Sequence, residues 1–162
     1  MKIGLMADSH DRLPAIAELL EVMQSKGVSL VMHAGDYCAP FALKPFNDAN
    51  MALLGIFGRN DGDQEGLKAT AAQGMGMELY ESPHSFEVSG HRVLIVHDIG
   101  EVNRRSISSH RFVVHGSTHK QETVTRGETL VINPGEACGW LTGVCSAAIL
   151  DLETSEVEVI TV

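Results

Sequence analysis

The first half of the chain alternates short apolar runs with stretches in which apolar residues recur at helical spacing. The apolar runs predict buried strands at residues 3–6, 28–32 and 51–57. The helical spacing predicts a helix that follows Asp11, its proposed N-cap, and ends at Gly27. Shorter helices are predicted at residues 41–48 and from residue 63 or 64 to about residue 73. Such alternation is typical of a largely parallel sheet with helices packed on it.

The second half of the chain is mostly strand. Alternating segments flank Ser89-Gly90 and Arg126-Gly127, and each pair predicts the turn of a hairpin. The predicted strands are residues 85–88, 92–96, 111–114, 122–125, 129–132, 147–152 and 157–162. A short polar segment occupies residues 103–109, and no internal repeat or linker divides the chain. We therefore predict one α/β domain over residues 1–162, with two sheets face to face and helices outside.

Composition and charge narrow the class of protein. The chain has 162 residues, 44% of them hydrophobic, which is enough for one domain with a proper core. A formal net charge of -9 argues against strong nonspecific binding to nucleic acid or to an anionic membrane. No run is apolar enough to span a bilayer, and no secretory signal is seen. Three cysteines without framework spacing predict reduced thiols in a cytoplasmic protein.

Polar, metal-binding residue types follow five of the predicted strands. They are Asp8-x-His10, Gly35-Asp36, Gly58-Arg59-Asn60-Asp61, His97-Asp98 and Gly116-Ser117-Thr118-His119. Ligands in open α/β folds bind outside the carboxyl ends of the strands, where loops from several strands converge. One such loop alone is better explained by a turn-capping Asp followed by a surface His. Five loops together predict a single site for a divalent metal with oxygen and nitrogen ligands.

These motifs, in this order and followed by Asn133-Pro134-Gly135, resemble those of the calcineurin-like metallophosphoesterases. The order and the short length are similar to the small bacterial and archaeal (YfcE-like) phosphodiesterase branch, and the resemblance covers nearly the whole chain. It implies a four-layer αββα sandwich with one or two divalent metals, Mn being favoured over Fe, Zn or Ni. In this family two metals about 3.5–4 Å apart clamp the attacking and departing oxygens at phosphorus.

The resemblance assigns ligands unevenly to the two metal positions. Four residues match the first site completely: Asp8, His10, Asp36 and His119. Asp36 matches the carboxylate that bridges to the second metal. The family's second-site Asn falls on Arg59 and one of its His ligands falls on Ser117, so that only His97 and Asp36 remain.

Both departures favour the hypothesis that the second metal is absent. Arg59 would occupy its place, repel a dication and hold phosphate oxygens with its guanidinium, while Ser117 makes room and hydrogen-bonds Arg59 or substrate. Two alternatives stay open. Arg59 points to solvent from a turn, or the loop shifts register and Asn60 becomes the ligand.

Two further residues are candidates for roles in catalysis. Asp61 either orients a neighbouring His or a metal-bound water, as the family pattern implies, or caps the turn. His97 and Asp98 either form an acid–base pair or are neighbours in sequence alone. Trp140 follows a Gly-rich turn and either walls the pocket or covers the core.

The residues and the resemblance together predict a metal-dependent phosphoesterase. The resemblance to the small phosphodiesterase branch implies a phosphodiesterase rather than a monoesterase, with a small phosphodiester as substrate. The alternative is a catalytically impaired relative that serves as a protein-binding scaffold, as in the retromer-associated protein that resembles the same enzymes. The intact first site favours the enzyme. The oligomeric state is left open, and a homo-oligomer is compatible with the sequence.

Overall fold

A computed structural model describes all residues from 1 to 162 and contains eleven strands. In chain order they are β1 Lys2–Met6, β2 Leu30–His33, β3 Ala52–Ile56, β4 Met77–Tyr80, β5 His84–Val88, β6 His91–Val96, β7 Phe112–His115, β8 Glu122–Arg126, β9 Thr129–Asn133, β10 Ser146–Asp151 and β11 Val157–Thr161. Every strand predicted from the apolar pattern is present within a few residues of its predicted bounds.

Four α-helices and two short 3-10 turns complete the structure. The helices are α1 Leu13–Ser25, α2 Lys44–Asp48, α3 Gln64–Gln73 and α4 Arg104–Ser108, and the 3-10 turns are Pro40–Leu43 and Ile99–Glu101. Asp63 caps α3 by accepting a hydrogen bond from the Gly66 amide at 2.9 Å. The predicted cap of α1 is wrong: Arg12 is the N-cap, and the Asp11 carboxylate accepts from the Ala39 amide instead.

Six strands form the first sheet, in the order β11-β10-β1-β2-β3-β4. Strands β1 to β4 are parallel, and β10 pairs antiparallel with β1. Alternate residues of β1 face opposite sides of the sheet. Ile3 and Leu5 pack in the core between the two sheets, whereas Met6 packs against α1, α2 and α3 on the outer face.

The second sheet has five strands, in the order β5-β6-β7-β9-β8. In β6, Val93 and Ile95 face the core between the sheets, and Leu94 and Val96 pack with Ile107 of α4 on the outside. Helices therefore cover both outer faces of two stacked sheets, which confirms the predicted αββα sandwich. Strands β1, β2, β3, β6 and β7 all end at one edge of this sandwich, where their loops are joined by hydrogen bonds.

Two elements were missing from the sequence analysis. β4 is a short edge strand beside β3, and α4 is a five-residue helix within the predicted polar segment, capped by Asn103 through a hydrogen bond from the Ser106 amide. Both are short, and neither carries the periodic apolar pattern that marks the other elements. None of the helices combines the length and apolarity needed to cross a membrane.

His33, at the end of β2, is fully buried in its neutral form. The Gly35 amide donates to Nδ1 at 3.1 Å, so Nε2 carries the proton and donates to Ser9 Oγ at 2.9 Å. Burial lowers the pKa of His33 from 6.5 to about 3. Protonation would require a charge in the core and would break the bond from Gly35.

The His33 environment predicts a loss of stability in acid. Below pH 6.5 the unfolded chain binds a proton at His33, whereas the folded chain does not until about pH 3. His33 therefore steepens the fall in the free energy of unfolding by up to about 1.4 kcal/mol per pH unit. Urea unfolding at pH 7, 6 and 5, with a chelator present, should show a shallower pH dependence for His33→Gln than for wild type. If the free energy of unfolding fell equally steeply with pH in both proteins, His33 would not contribute to the acid sensitivity.

Candidate metal centre

Three buried residues from three strand ends form the centre of the site. Asp8, Asp36 and His97 each place a potential ligand atom within 4.8 Å of the others. His97 donates from Nδ1 to the Ala34 carbonyl at 2.8 Å, which leaves Nε2 facing Asp36 Oδ2 at 3.4 Å. Asp8 accepts from the Ser117 amide at 3.0 Å. The prediction that these loops converge is thus confirmed by their geometry.

The charges of these residues depend on one another. Burial raises the pKa of Asp8 to about 6, although the imidazoles of His119 and His97 oppose the shift. Burial also raises the pKa of Asp36, but hydrogen bonds from His97 and Asn60 outweigh it and hold the pKa well below its usual range. For His97, burial lowers the pKa, and the bonds to Asp36 and Ala34 outweigh it and raise the pKa to about 9. Buried carboxylates this close together require a compensating positive charge.

A second group of potential ligand atoms adjoins the first. His10, His119 and Cys138 also lie within 4.8 Å of one another, and the two imidazoles stack with centroids 5.2 Å apart. His10 Nε2 points at Asp36 Oδ2 at 3.5 Å, and His119 Nε2 points at Asp8 Oδ1 at 3.8 Å. The structure therefore brings together all four residues assigned to the first metal site.

The backbone at these four residues is strained. Asp8, His10, Asp36 and His119 all have positive φ, between 37° and 64°. Non-glycine residues rarely adopt this conformation, and it persists only where surrounding contacts enforce it. Here the His10 amide donates to the Asp36 carbonyl at 3.0 Å, and the Cys138 amide donates to the Asp8 carbonyl at 3.1 Å. The fold thus imposes a conformation that aims the ligand side chains into one volume.

Asp61 organises the loops from behind the cluster. Its carboxylate accepts from the amides of Asp36, Cys38 and Gly58 at 3.0, 2.8 and 2.6 Å. Asp61 forms no hydrogen bond with any of the imidazoles, so the structure favours the alternative in which Asp61 caps the turn. A Cβ at Gly58 would lie 2.2 Å from Asp36 Oδ1, and only glycine fits beside this carboxylate.

The structure does not bring Arg59 into the cluster. Its guanidinium donates to Asp98 at 2.6 Å and to Glu101 at 3.3 Å, and its side chain is 59% exposed. The prediction that it stands at the second metal position is wrong in this geometry, because two acidic residues hold it on the surface. The proposed His97–Asp98 pair is wrong for the same reason: Asp98 binds Arg59, and His97 binds Asp36.

Asn60 takes the inward position instead. Its amide nitrogen donates to Asp36 Oδ2 at 2.8 Å, and its backbone amide donates to Asp36 Oδ1 at 2.8 Å. Of the two loop registers left open by the sequence, the structure therefore favours the one that uses Asn60. Ser117 contributes its backbone amide to Asp8, and its hydroxyl makes no hydrogen bond to Arg59.

Glu136 is the main site residue that the sequence analysis missed. It is fully buried, and its carboxylate accepts from His119 Nδ1 at 2.7 Å and from Cys138 Sγ at 3.3 Å. Leu141 and Thr142 donate to it from the following loop. Burial raises the pKa of Glu136, but the bonds from His119 and Thr142 outweigh it and lower the pKa to about 2. The ionised carboxylate fixes the His119 proton on Nδ1 and frees Nε2 for the cluster.

The residues fit a divalent cation. His10 Nε2 is buried and has no hydrogen-bond partner, although it points at a carboxylate in the centre of the cluster. An unsatisfied buried nitrogen is costly, and a metal ion would satisfy it together with the two buried carboxylates. Imidazole and carboxylate ligands suit Mn, Fe, Zn and Ni. Asp8, His10, Asp36 and His119 would hold such an ion.

The sandwich and the position of the cluster at its strand ends place the chain in the class of metallophosphoesterases. The sequence profile of the calcineurin-like phosphoesterase superfamily domain matches residues 1–155, and the chain belongs to this superfamily. The family predicted from the motifs is therefore confirmed.

Known proteins resemble the chain along its whole length. Phosphodiesterase MJ0936 of Methanocaldococcus jannaschii is 35% identical over 159 residues, which cover 96% of each chain. The solved structure of an archaeal phosphodiesterase is 34% identical and has a TM-score of 0.92, with full coverage of both chains. The phosphoesterase Yfce from E. coli has a TM-score of 0.72 at 16% identity, with 100% of this chain and 98% of that one covered, which shows a shared fold.

Proposed function

We propose that the protein is a metal-dependent phosphodiesterase that hydrolyses small phosphodiesters. The observation that carries the proposal is the approach of His10 to Asp36 at 3.5 Å and of His119 to Asp8 at 3.8 Å, with the unpartnered His10 Nε2 among them. Similarity to two proteins described as phosphodiesterases supports a diester over a monoester. When bound, a divalent ion supplies positive charge for the phosphate and lowers the pKa of water.

The chain's own residues have separate parts in this proposal. Glu136 keeps Nε2 of His119 free, and Asp61 keeps the loops of Asp36 and Gly58 in place. His97 faces Asp36 with the proton of Nδ1 held by Ala34, so its Nε2 is presented to the cluster. Ser117 holds Asp8 through its amide. Because Arg59 is bound by Asp98 and Glu101, we assign it no contact with the phosphate.

We propose that one ion is bound tightly per chain, Mn being the first candidate. The resemblance assigns four side-chain ligands to the first position, whereas the second has Asp36 and His97 with the Asn60 amide beside them. Ser117 stands where the family has an imidazole. Fewer donors predict weaker binding at the second position, with no need for Arg59 to replace the ion.

The test combines turnover with a count of the metal. Wild-type protein with Mn²⁺ should hydrolyse bis(p-nitrophenyl) phosphate, and a chelator should remove the activity until Mn²⁺ is added back. After dialysis, elemental analysis should find one ion per chain. A count of two would overturn the single-ion proposal, and an absence of turnover with Mn²⁺, Fe²⁺, Zn²⁺ and Ni²⁺ would overturn the phosphodiesterase.

The scaffold alternative is less well supported. A scaffold has no need for four metal ligands held in a strained backbone, and mutations that accumulate after the loss of catalysis should replace some of them.

Three free cysteines support the proposal that the enzyme is cytoplasmic, because reduced thiols persist in that compartment.

A further inference from the structure

Trp140 lies beside the metal centre with most of its surface exposed. Its indole nitrogen donates to the carbonyl of His10 at 3.4 Å, and the residue is 62% exposed. The loop that carries Trp140 is the same one that holds Glu136, through the amides of Leu141 and Thr142. The indole is therefore held by the backbone of His10, a predicted metal ligand, rather than buried in the core.

Arg12 covers the indole and joins it to the site. Its guanidinium carbon lies 4.6 Å from the ring centroid, and Nη1 donates to the Cys138 carbonyl at 2.6 Å. A cation over an indole is attracted by the ring, and the contact limits the movement of both side chains. The pair thus presents a positive charge stacked on an exposed aromatic ring at the edge of the centre.

We propose that Trp140 and Arg12 bind the ester group of a phosphodiester that carries a flat aromatic ring, such as a nucleoside. This inference rests on the proposed function and names its substrate class. Bases stack on exposed aromatic side chains with little preference for sequence. A base would stack on the indole face that Arg12 leaves uncovered, and the guanidinium over the other face attracts the phosphate. The exposed large apolar residues of the 138–144 loop are Trp140, Leu141 and Val144, and three side chains cover much less than the roughly 800 Å² per partner of a stable protein interface.

The first experiment uses fluorescence, because Trp140 is the only tryptophan in the chain. Adenosine monophosphate should quench the Trp140 emission in a saturable manner, whereas ribose 5-phosphate, which lacks the base, should leave it unchanged. Equal responses to the two compounds would overturn the proposal. An emission that depends on protein concentration without nucleotide would also overturn it, since a second copy of the chain would then cover the indole.

The second experiment compares two substrates with the same leaving group. Thymidine 5′-(p-nitrophenyl) phosphate has a base in its second ester group, and methyl p-nitrophenyl phosphate does not. Trp140→Leu should raise KM for the thymidine ester about 10-fold more than KM for the methyl ester, because only the thymidine ester loses base stacking. Trp140→Phe should restore most of the loss.

These experiments separate the inference from the proposed function. If wild type and Trp140→Leu hydrolyse both esters with the same KM, the phosphodiesterase stands and the inference fails. If wild type hydrolyses neither ester, the proposed function fails, and the fluorescence titration still decides whether Trp140 binds the base.

Discussion

Replacing Asp36 with Asn should reduce the hydrolysis of bis(p-nitrophenyl) phosphate more than about 100-fold, because loss of an outer partner of a metal ligand already costs about 10–100-fold. Asp36 faces His10 and His97 and accepts twice from Asn60, so it joins one ligand of the first metal position to the residues of the second. Asn has the same shape but lacks the charge that a dication and the two imidazoles require. The measurement is kcat/KM with saturating Mn²⁺.

A matched control is available on the surface. Asp48, at the end of α2, forms an exposed ion pair with Lys44, and Asp48→Asn removes the same charge far from the strand ends. This variant should keep the wild-type rate. Circular dichroism should show that both variants fold, since Asp36→Asn changes no volume. Turnover by folded Asp36→Asn within 10-fold of wild type would remove Asp36 from the metal centre.

Replacing Glu136 with Gln should weaken metal binding about 10- to 100-fold, although Glu136 touches no predicted metal position. The carboxylate accepts hydrogen bonds at both oxygens, from His119 and Cys138 on one and mainly from Thr142 on the other. The amide of Gln offers only one acceptor, so one of these donors faces an NH₂ group. His119 then loses its fixed tautomer, and its Nε2 is no longer always free.

The informative measurement for Glu136→Gln is the metal affinity, determined by competition with a chelating dye. NMR of the His119 ring in the metal-free protein should show Nδ1 protonated in wild type and a mixture of tautomers in the variant. Glu18→Gln, at an exposed position on α1, serves as the control for loss of charge. An unchanged affinity in a folded Glu136→Gln would show that Glu136 supports the loop alone.

The strand ends predicted a metal site, and the resemblance to the calcineurin-like metallophosphoesterases assigned four residues to its first position. Three of them follow β1 and β2 of one sheet, and His119 follows β7 of the other. Parallel strands bring their carboxyl ends together whatever the exact register, so Asp8 and Asp36 could be placed before any coordinates. Arg59 and Asn60 could not be separated in this way. They are adjacent in one turn, and which one faces inward depends on hydrogen bonds from Asn60 to Asp36, a residue 24 positions away.

Glu136 was missed for a related reason. It follows β9 at the same edge as the other strand ends, after Asn133-Pro134-Gly135, so the rule that found His119 applies to it as well. Its partner His119 belongs to another loop, and a carboxylate beside a turn is common on surfaces. Glu136 is buried and pairs with His119 because the 138–144 loop folds over it. This burial cannot be inferred from the residues next to Glu136 in the sequence.

The left-handed backbone at the four predicted ligands restricts how this site can evolve. Asp, Asn and His tolerate that conformation better than other non-glycine residues, and Asp and His are also the types that bind the metal. Exchange for Glu or Cys would keep a ligand atom but strain the chain. Few single substitutions can therefore exchange one of these ligand residues for another residue type without straining the backbone. Adaptation to a new metal should begin in neighbours such as Cys138 and leave the four ligands unchanged.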